Sequence, residues 1–455
     1  MAKALNWTAG VHKLGGTELA HGNNLAVYGV RFTPDGKRLV TANGEGTIYI
    51  IKVDNGQILQ KLDGVSKRDG KKSMCGGSFG MCSLDVCAGG PKPEDPDVIV
   101  TSSFDDSLQH FSSTGDLLRT QKMVGAEKVA ISPSRQYLLL SIDIPFSKGG
   151  EARVHVVDFI SGTHLCKLHG PNKVATSIGW SPDGQSVAAA SHDNRAYVWK
   201  LDWLPKPESI KTKDDVRNIQ QERHRLDAHD DAVVGLAWRP DLTELNGTAG
   251  PSLLATASTD GTIAMWDGAN GRKKWRFHVP ALTDASDDSD SDDDAASVRM
   301  REAARRRLSA HVLAWSLDGT QLVTGHLDGM MRIVSMEGSV LHAFKGHKEI
   351  VRSITVSCDG MIGSCSHDSS IVVWRPKRPA RDDAKAASPA AEPDAATIAG
   401  APTATAAAAE ELAVVDVPAA ATEEEICVVM GEASTGTTHN APSPDTKPSA
   451  EVDDD

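Results

Sequence analysis

Residues 178–199 read IGWSPDGQSVAAASHDNRAYVW. An apolar run ending at Trp180 meets the turn Ser181-Pro182-Asp183-Gly184. A second run, Val187–Ala190, meets a turn centred on Asp193-Asn194, and a third run ends at Trp199. Each run is too short for a helix of ordinary length. Each is bounded by residues that favour tight turns, Pro for its fixed φ and Gly or Asn for positive φ. Such a stretch reads as three consecutive antiparallel strands joined by hairpins.

The same phrase recurs along the chain. VRFTPDG ends at Gly36, LAWSLDG at Gly319 and ITVSCDG at Gly360. VAISPSR (129–135) and LAWRPDL (236–242) are weaker copies, and SLDVCAGGPKPED (83–95) keeps the strand with a longer turn. The following strand-turn-strand unit also repeats, as LLATASTDGTIAMW (253–266), MIGSCSHDSSIVVW (361–374), LVTANGEGTIYII (39–51), LVTGHLDGMMRIV (322–334) and VIVTSSFDDSLQHF (98–111). A fourth run closes several units, such as ILQKL (58–62), HLCKL (164–168), KKWRF (273–277) and VLHAF (340–344). Four strands at a period of about 40–45 residues make a propeller blade.

Two units carry a polar set at matching positions. His229, Ser258, Asp260 and Trp266 lie in the fifth unit, and His347, Ser366, Asp368 and Trp374 in the seventh. Ser191, Asp193 and Trp199 repeat it in the fourth, with Pro171 in the His position. A buried imidazole bonded to a carboxylate, a hydroxyl and an indole N–H costs little, whereas the same groups unpaired cost several kcal/mol. Over roughly residues 10–375 the chain resembles the WD-repeat family. That resemblance implies an all-β fold: one seven-bladed propeller with four-stranded antiparallel blades. Trp374 is followed by Arg375-Pro376, which cannot continue a central strand. Residues 10–19 are therefore expected to supply the outer strand of the last blade and close the ring. The domain reading is 1–19 for the closing segment, 20–375 for the propeller and 376–455 for a disordered tail.

The net charge of −13 belongs to the tail, where residues 381–455 hold 3 basic and 16 acidic side chains. The remainder balances to zero, so the folded part offers no global electrostatic case for nucleic acid, and no such partner is expected. With 7 cysteines, no signal-like start and no long apolar run, the expected setting is reducing, cytoplasmic or nuclear, without membrane contact. Residues 64–77 and 280–309 are expected to decorate the face that carries the blade-joining loops, as is the long hairpin 142–153. Residues 200–222 are expected to leave blade 4 on the opposite face. Within 280–309, Ser289 and Ser291 suit acid-directed kinases and Ser309 basophilic ones. In the tail, EEEICVVM (423–430) resembles a SUMO-interacting strand, with Ile426, Val428 and Val429 as its apolar contacts.

Catalytic patterns are thin. Gly76-Gly77-Ser78-Phe79-Gly80 fits the nucleophile-elbow spacing but lacks the strand before it and the helix after it. Cys75, Cys82 and Cys87 are spaced too widely for a typical zinc site, and no metal or cofactor is expected. What the family resemblance implies instead is a non-catalytic scaffold that binds proteins or peptides at the top of the central channel. Aligning the first strands puts Tyr28, Cys82, Glu127, Thr176, Val234, His311 and Arg352 on that rim. Tyr28 and Arg352, from adjacent blades of a closed ring, are the expected anchors. Two alternatives stand beside it. One is a propeller hydrolase, for which this rim offers a single Glu and a single His. The other is a substrate receptor of a cullin-type ubiquitin ligase. Such receptors carry Trp-Asp-x-Arg after the third strand, whereas Trp266-Asp267 is followed here by Gly268-Ala269.

Overall fold

The computed structural model describes residues 12–13, 26–63, 81–89, 95–103, 105–144, 151–201, 223–240, 252–279 and 309–375. The elbow-like 76–80 stretch, Cys75, Ser289, Ser291, the SUMO-like strand and the tail lie outside these residues. Every regular element described is a strand, and the strands form seven separate four-stranded antiparallel sheets. In each sheet the strands follow chain order from the innermost outward, except in the seventh, which borrows its outer strand.

The innermost strands are Val27–Phe32, Met81–Cys87, Ala126–Ile131, Ala175–Trp180, Val233–Trp238, Ala310–Trp315 and Val351–Val356. Each packs against its counterpart in the next blade, and the first also packs against the last, so these strands encircle a channel. Middle strands are buried on both faces, as in Leu253–Ser258 and Thr262–Asp267. Most outer strands mix half-buried with exposed residues, as Ile58–Asp63 does in strict alternation, whereas that of blade 3, His164–Leu168, is largely buried.

Apolar burial sits between blades. Seven hydrophobic clusters are present, one at each blade-to-blade interface. Leu139, Val154 and Val156 of blade 3 meet Val187, Ala189 and Trp199 of blade 4, for example. Across the closure, Val30, Leu39 and Ile51 of blade 1 meet Cys365, Ile371 and Val373 of blade 7. Each fully buried aliphatic side chain stabilises by roughly 1.5–3 kcal/mol, so no single interface dominates.

The Ser/Thr-Pro-Asp-Gly phrase is a self-capped turn. The Thr33 hydroxyl donates to Asp35 Oδ1 at 2.5 Å, Asp35 accepts the Lys37 N–H at 3.0 Å, and Gly36 takes φ +69°. Ser181 and Asp183 repeat the bond at 2.5 Å, and Ser316 and Asp318 at 2.6 Å. In the weaker copy at 129–135, Arg135 stands where the others have Gly and still adopts φ 60°.

His12–Lys13 forms the outer strand of blade 7, pairing antiparallel with Ile371–Trp374 through His12↔Val373 and Lys13↔Val372. The closing strand, as far as the described residues show it, thus falls within the 10–19 segment expected from the sequence. The blade 3 hairpin is also tighter than 142–153, because its strands run on to Ile144 and from Glu151.

Candidate functional site

The seven rim positions share a structural cause. In every blade the pairing of the first strand with the second skips one residue. The skipped residues are Tyr28, Cys82, Glu127, Thr176, Val234, His311 and Arg352. A bulge leaves one residue outside the ladder and re-aims its side chain. Seven bulges at one level of the inner strands therefore give a ring of unpaired positions at the channel end where the blade-joining loops lie. Six of the seven side chains are described, all half-buried; that of Cys82 lies outside the described residues.

Two blades build the most developed part of this ring. The Arg352 guanidinium lies over the Tyr28 ring, 5.7 Å from its centroid. Tyr28 meets the His367 ring edge-on at 6.4 Å, and His367 Nδ1 is 3.0 Å from Glu349 Oε2. Next to them, His311 is held neutral: burial, then Arg352, Lys128 and His192, push its pKa down to about 3. On blade 3, burial is the largest influence raising the Glu127 carboxyl, opposed by Lys128 and aided by Asp143. Thr176 is already occupied, its hydroxyl donating to the Val233 carbonyl at 2.6 Å. Thr176 therefore ties blade 4 to blade 5.

The polar sets of blades 5 and 7 form, with a different hydroxyl from the one expected. His229 Nε2 is 2.8 Å from Thr256 Oγ1, and the Trp266 indole donates to that same oxygen at 2.9 Å. In blade 7, Ser364 takes this place, 2.7 Å from His347 Nε2 and accepting from Trp374 at 3.1 Å. Ser258 and Ser366 lie one strand pleat further on. There they bond to the Asp231 and Glu349 carbonyls and accept the N–H of Asp260 and Asp368. On the other ring nitrogen, His229 Nδ1 is 3.0 Å from Thr262 Oγ1 and 3.4 Å from Asp260 Oδ2. Burial works to raise the Asp260 carboxyl, but His229, Thr262 and the Asp230 N–H outweigh it and hold the carboxyl far below its usual range.

Other blades meet the same demand differently. In blade 4, the Tyr197 hydroxyl donates to Asp193 at 2.8 Å, and the Trp199 indole donates to the His169 carbonyl at 3.1 Å. Blade 6 carries a buried Arg332 paired with Asp328 at 2.8 Å. Neither substitute is visible as a motif, because each uses residue types absent from the repeated phrase.

Ser309 requires a correction. It stands immediately before the inner strand of blade 6 at 1% exposure, so a kinase cannot reach its hydroxyl in the folded chain. Among the described free thiols, burial pushes Cys87, Cys166 and Cys365 up to about 12, which disfavours the reactive thiolate, while Cys358 is exposed. Among the described residues, no group of three or more His, Cys, Asp or Glu side chains is placed to hold a metal ion. No helix among them is long and apolar enough to cross a membrane.

Comparison with known proteins adds a frame to these blades. The family model "WD domain, G-beta repeat" matches residues 13–52, 162–200, 220–267 and 338–375. Three of these matches begin at or just before an outer strand and end at or just beyond the third strand of the next blade, so one sequence repeat stitches two blades. Protein HIR1 of Yarrowia lipolytica is 30% identical over 126 residues, which is 26% of this chain and 11% of that protein. Autophagy-related protein 16 of Arabidopsis thaliana is 23% identical over 216 residues, 47% of this chain and 32% of that one. Transducin beta-like protein 3 of Bos taurus is 23% identical over 268 residues, 54% and 31% respectively. The alignments thus span a third or less of each relative's own length. Four matched repeats within a ring whose seven blades share one strand order make this chain a WD-repeat β-propeller.

Proposed function

We propose that the chain is a non-catalytic scaffold that recruits protein or peptide partners to the bulge ring at the channel mouth, within a multiprotein assembly. The observation that carries this reading is the Tyr28–Arg352 pair. An aromatic and an arginine, from two blades brought together by ring closure, are stacked 5.7 Å apart at the mouth. These are residue types that dominate binding energy at protein interfaces, and here they stand on rigid strands rather than on loops. Thr176, Val234 and Glu127 complete the ring as shape rather than as anchors. The named relatives supply the class only. The partners themselves are to be found by experiment.

Affinity capture or proximity labelling with the full chain tests the reading. Wild type is compared with a Tyr28→Ala, Arg352→Glu double variant of matched thermal stability. Loss of a defined subset of partners is the expected outcome. An unchanged partner list overturns the reading.

A further inference from the structure

We propose that the channel mouth takes a carboxylate side chain of an acidic peptide segment of the partner, with the Arg352 guanidinium as its anchor. The inference rests on the scaffold reading above and specifies the chemistry of its ligand.

Arginine pairing supports the assignment. Arg31, Arg38, Arg195, Arg225, Arg276, Arg332 and Arg375 all have a carboxylate within ion-pair distance. Arg119 and Arg223 donate to backbone carbonyls instead, whereas Arg352 has no carboxylate partner among the described residues, and its Nε, like those of Arg332 and Arg375, is buried without a hydrogen-bond partner. A buried donor left unmade costs on the order of 1–3 kcal/mol, which a ligand oxygen would recover. Meanwhile the guanidinium is already orientated by Tyr28, which is itself wedged against His367. A planar, pre-positioned fork suits a planar carboxylate and gains from forming two parallel bonds.

The surrounding field has the matching sign. Arg352 and Lys128 are the cations acting on His311, and both disfavour a proton there. Acids stand nearby as well: Glu349 lies against His367, burial raises the Glu127 and Asp143 carboxyls of blade 3 from their ordinary values, and Asp231 acts on His192. A lysine offered to blades 6 and 7 meets like charge, so discrimination against basic peptides is part of the design of the site.

Selection from a random peptide display library on the immobilised full-length chain tests the proposal. Selected peptides are expected to share an Asp or Glu at one position, and replacing it with the amide is expected to weaken binding about tenfold. Arg352→Gln is expected to abolish the acidic preference. Arg352→Glu, which keeps a charge at the mouth and controls for folding, is expected to shift selection towards Lys and Arg. Neutral or basic consensus peptides that still lose binding in Tyr28→Ala would overturn the carboxylate assignment and leave the scaffold reading intact. Acidic enrichment that persists in Arg352→Gln would overturn it too. If selection yields peptides insensitive to every rim variant, or none at all, both readings fall.

Discussion

The hydroxyl that joins imidazole to indole in blades 5 and 7 sits where strand pleating dictates. Thr256 and Ser364 each lie ten residues before the Trp they serve. Ser258 and Ser366, two residues later, bond instead to the Asp231 and Glu349 carbonyls and to the turn N–H of Asp260 and Asp368. Reading the sequence alone, any of these hydroxyls satisfies the spacing, and only the register of the second strand against the third selects among them. Thr256→Val keeps the shape and removes the acceptor of the Trp266 indole. It is expected to cost about 1–3 kcal/mol by urea denaturation. It should also move the Trp266 indole N–H resonance more than Ser258→Ala does, and equal shifts from the two variants would contradict the assignment. Buried histidines set the pH response. Burial first, then the charges of His164, Lys167, Arg153 and His169, bring His155 down to about 3, and burial then Arg119 bring His110 to about 4. These groups are neutral when folded and titrate near 6.5 when unfolded, so below that value the unfolded chain binds more protons. Stability is therefore full above about pH 7 and declines as pH falls, by about 1.4 kcal/mol per pH unit for each such histidine. Urea midpoints are expected to drop between pH 7 and pH 5, and His155→Gln to flatten the slope by about one proton. A midpoint independent of pH over that range would show that these imidazoles are solvated.

Inner strands are joined to one another by a repeated side-chain bond at the opposite end from the bulges. The indoles of Trp180, Trp238 and Trp315 donate to the carbonyls of Ala130, Gly179 and Ala237, each one blade back, at 3.0–3.2 Å. Where the Trp is missing, other groups span the gap. Arg31 of blade 1 pairs with Asp85 of blade 2 at 3.3 Å, and Asp85 accepts the Ile131 N–H of blade 3 at 2.8 Å. Across the closure, the Phe32 N–H donates to Thr355 Oγ1 at 3.4 Å. Trp238→Phe, which keeps most of the ring and loses the donor, is expected to cost about 0.5–1.5 kcal/mol. Asp85→Asn should cost at least as much, because it weakens contacts to two neighbouring blades. Equal stability of both variants with wild type, measured by chemical unfolding, would reduce these bonds to coincidence. This scale also marks what was legible beforehand. Strand order and blade number were readable because a turn phrase fixes the strand that precedes it, and the same alignment picks out seven equivalent positions on the inner strands. That each rim position is a bulge was not readable, since a bulge is a property of two strands in register. Nor were the Tyr197 and Arg332 substitutes, whose partners come from strand geometry rather than from spacing. The burial of Ser309 was not readable either, since a basic flank says nothing of solvent access.

Burial divided among seven blade interfaces makes the ring only as strong as its closure. Among the described residues each sheet packs chiefly against its two neighbours, so stability accumulates from nearest-neighbour interfaces, and one open seam exposes two of them to fraying. The seam lies between blade 7 and blade 1. It is held by an apolar cluster, by the Phe32–Thr355 bond, by the Cys365 thiol 3.4 Å from the Val27 carbonyl, and by the His12–Lys13 strand. That strand also covers the outer edge of Ile371–Trp374, four fully buried residues of strongly β-forming type. An uncovered edge of this kind invites pairing with another chain. Deleting residues 1–19 is therefore expected to lower the melting temperature by several degrees and to produce concentration-dependent association. The apolar cluster should still hold the blades together at low temperature. Because the deletion leaves Tyr28 and Arg352 in place, the cation–π pair they form across the seam becomes a reporter of closure. Weakened capture of rim partners by the deleted chain, at a temperature where it remains folded by circular dichroism, is expected if the closing strand sets the mouth geometry. Melting and partner capture both identical to the full chain would mean that the seam closes through its core alone, and that the borrowed strand is dispensable.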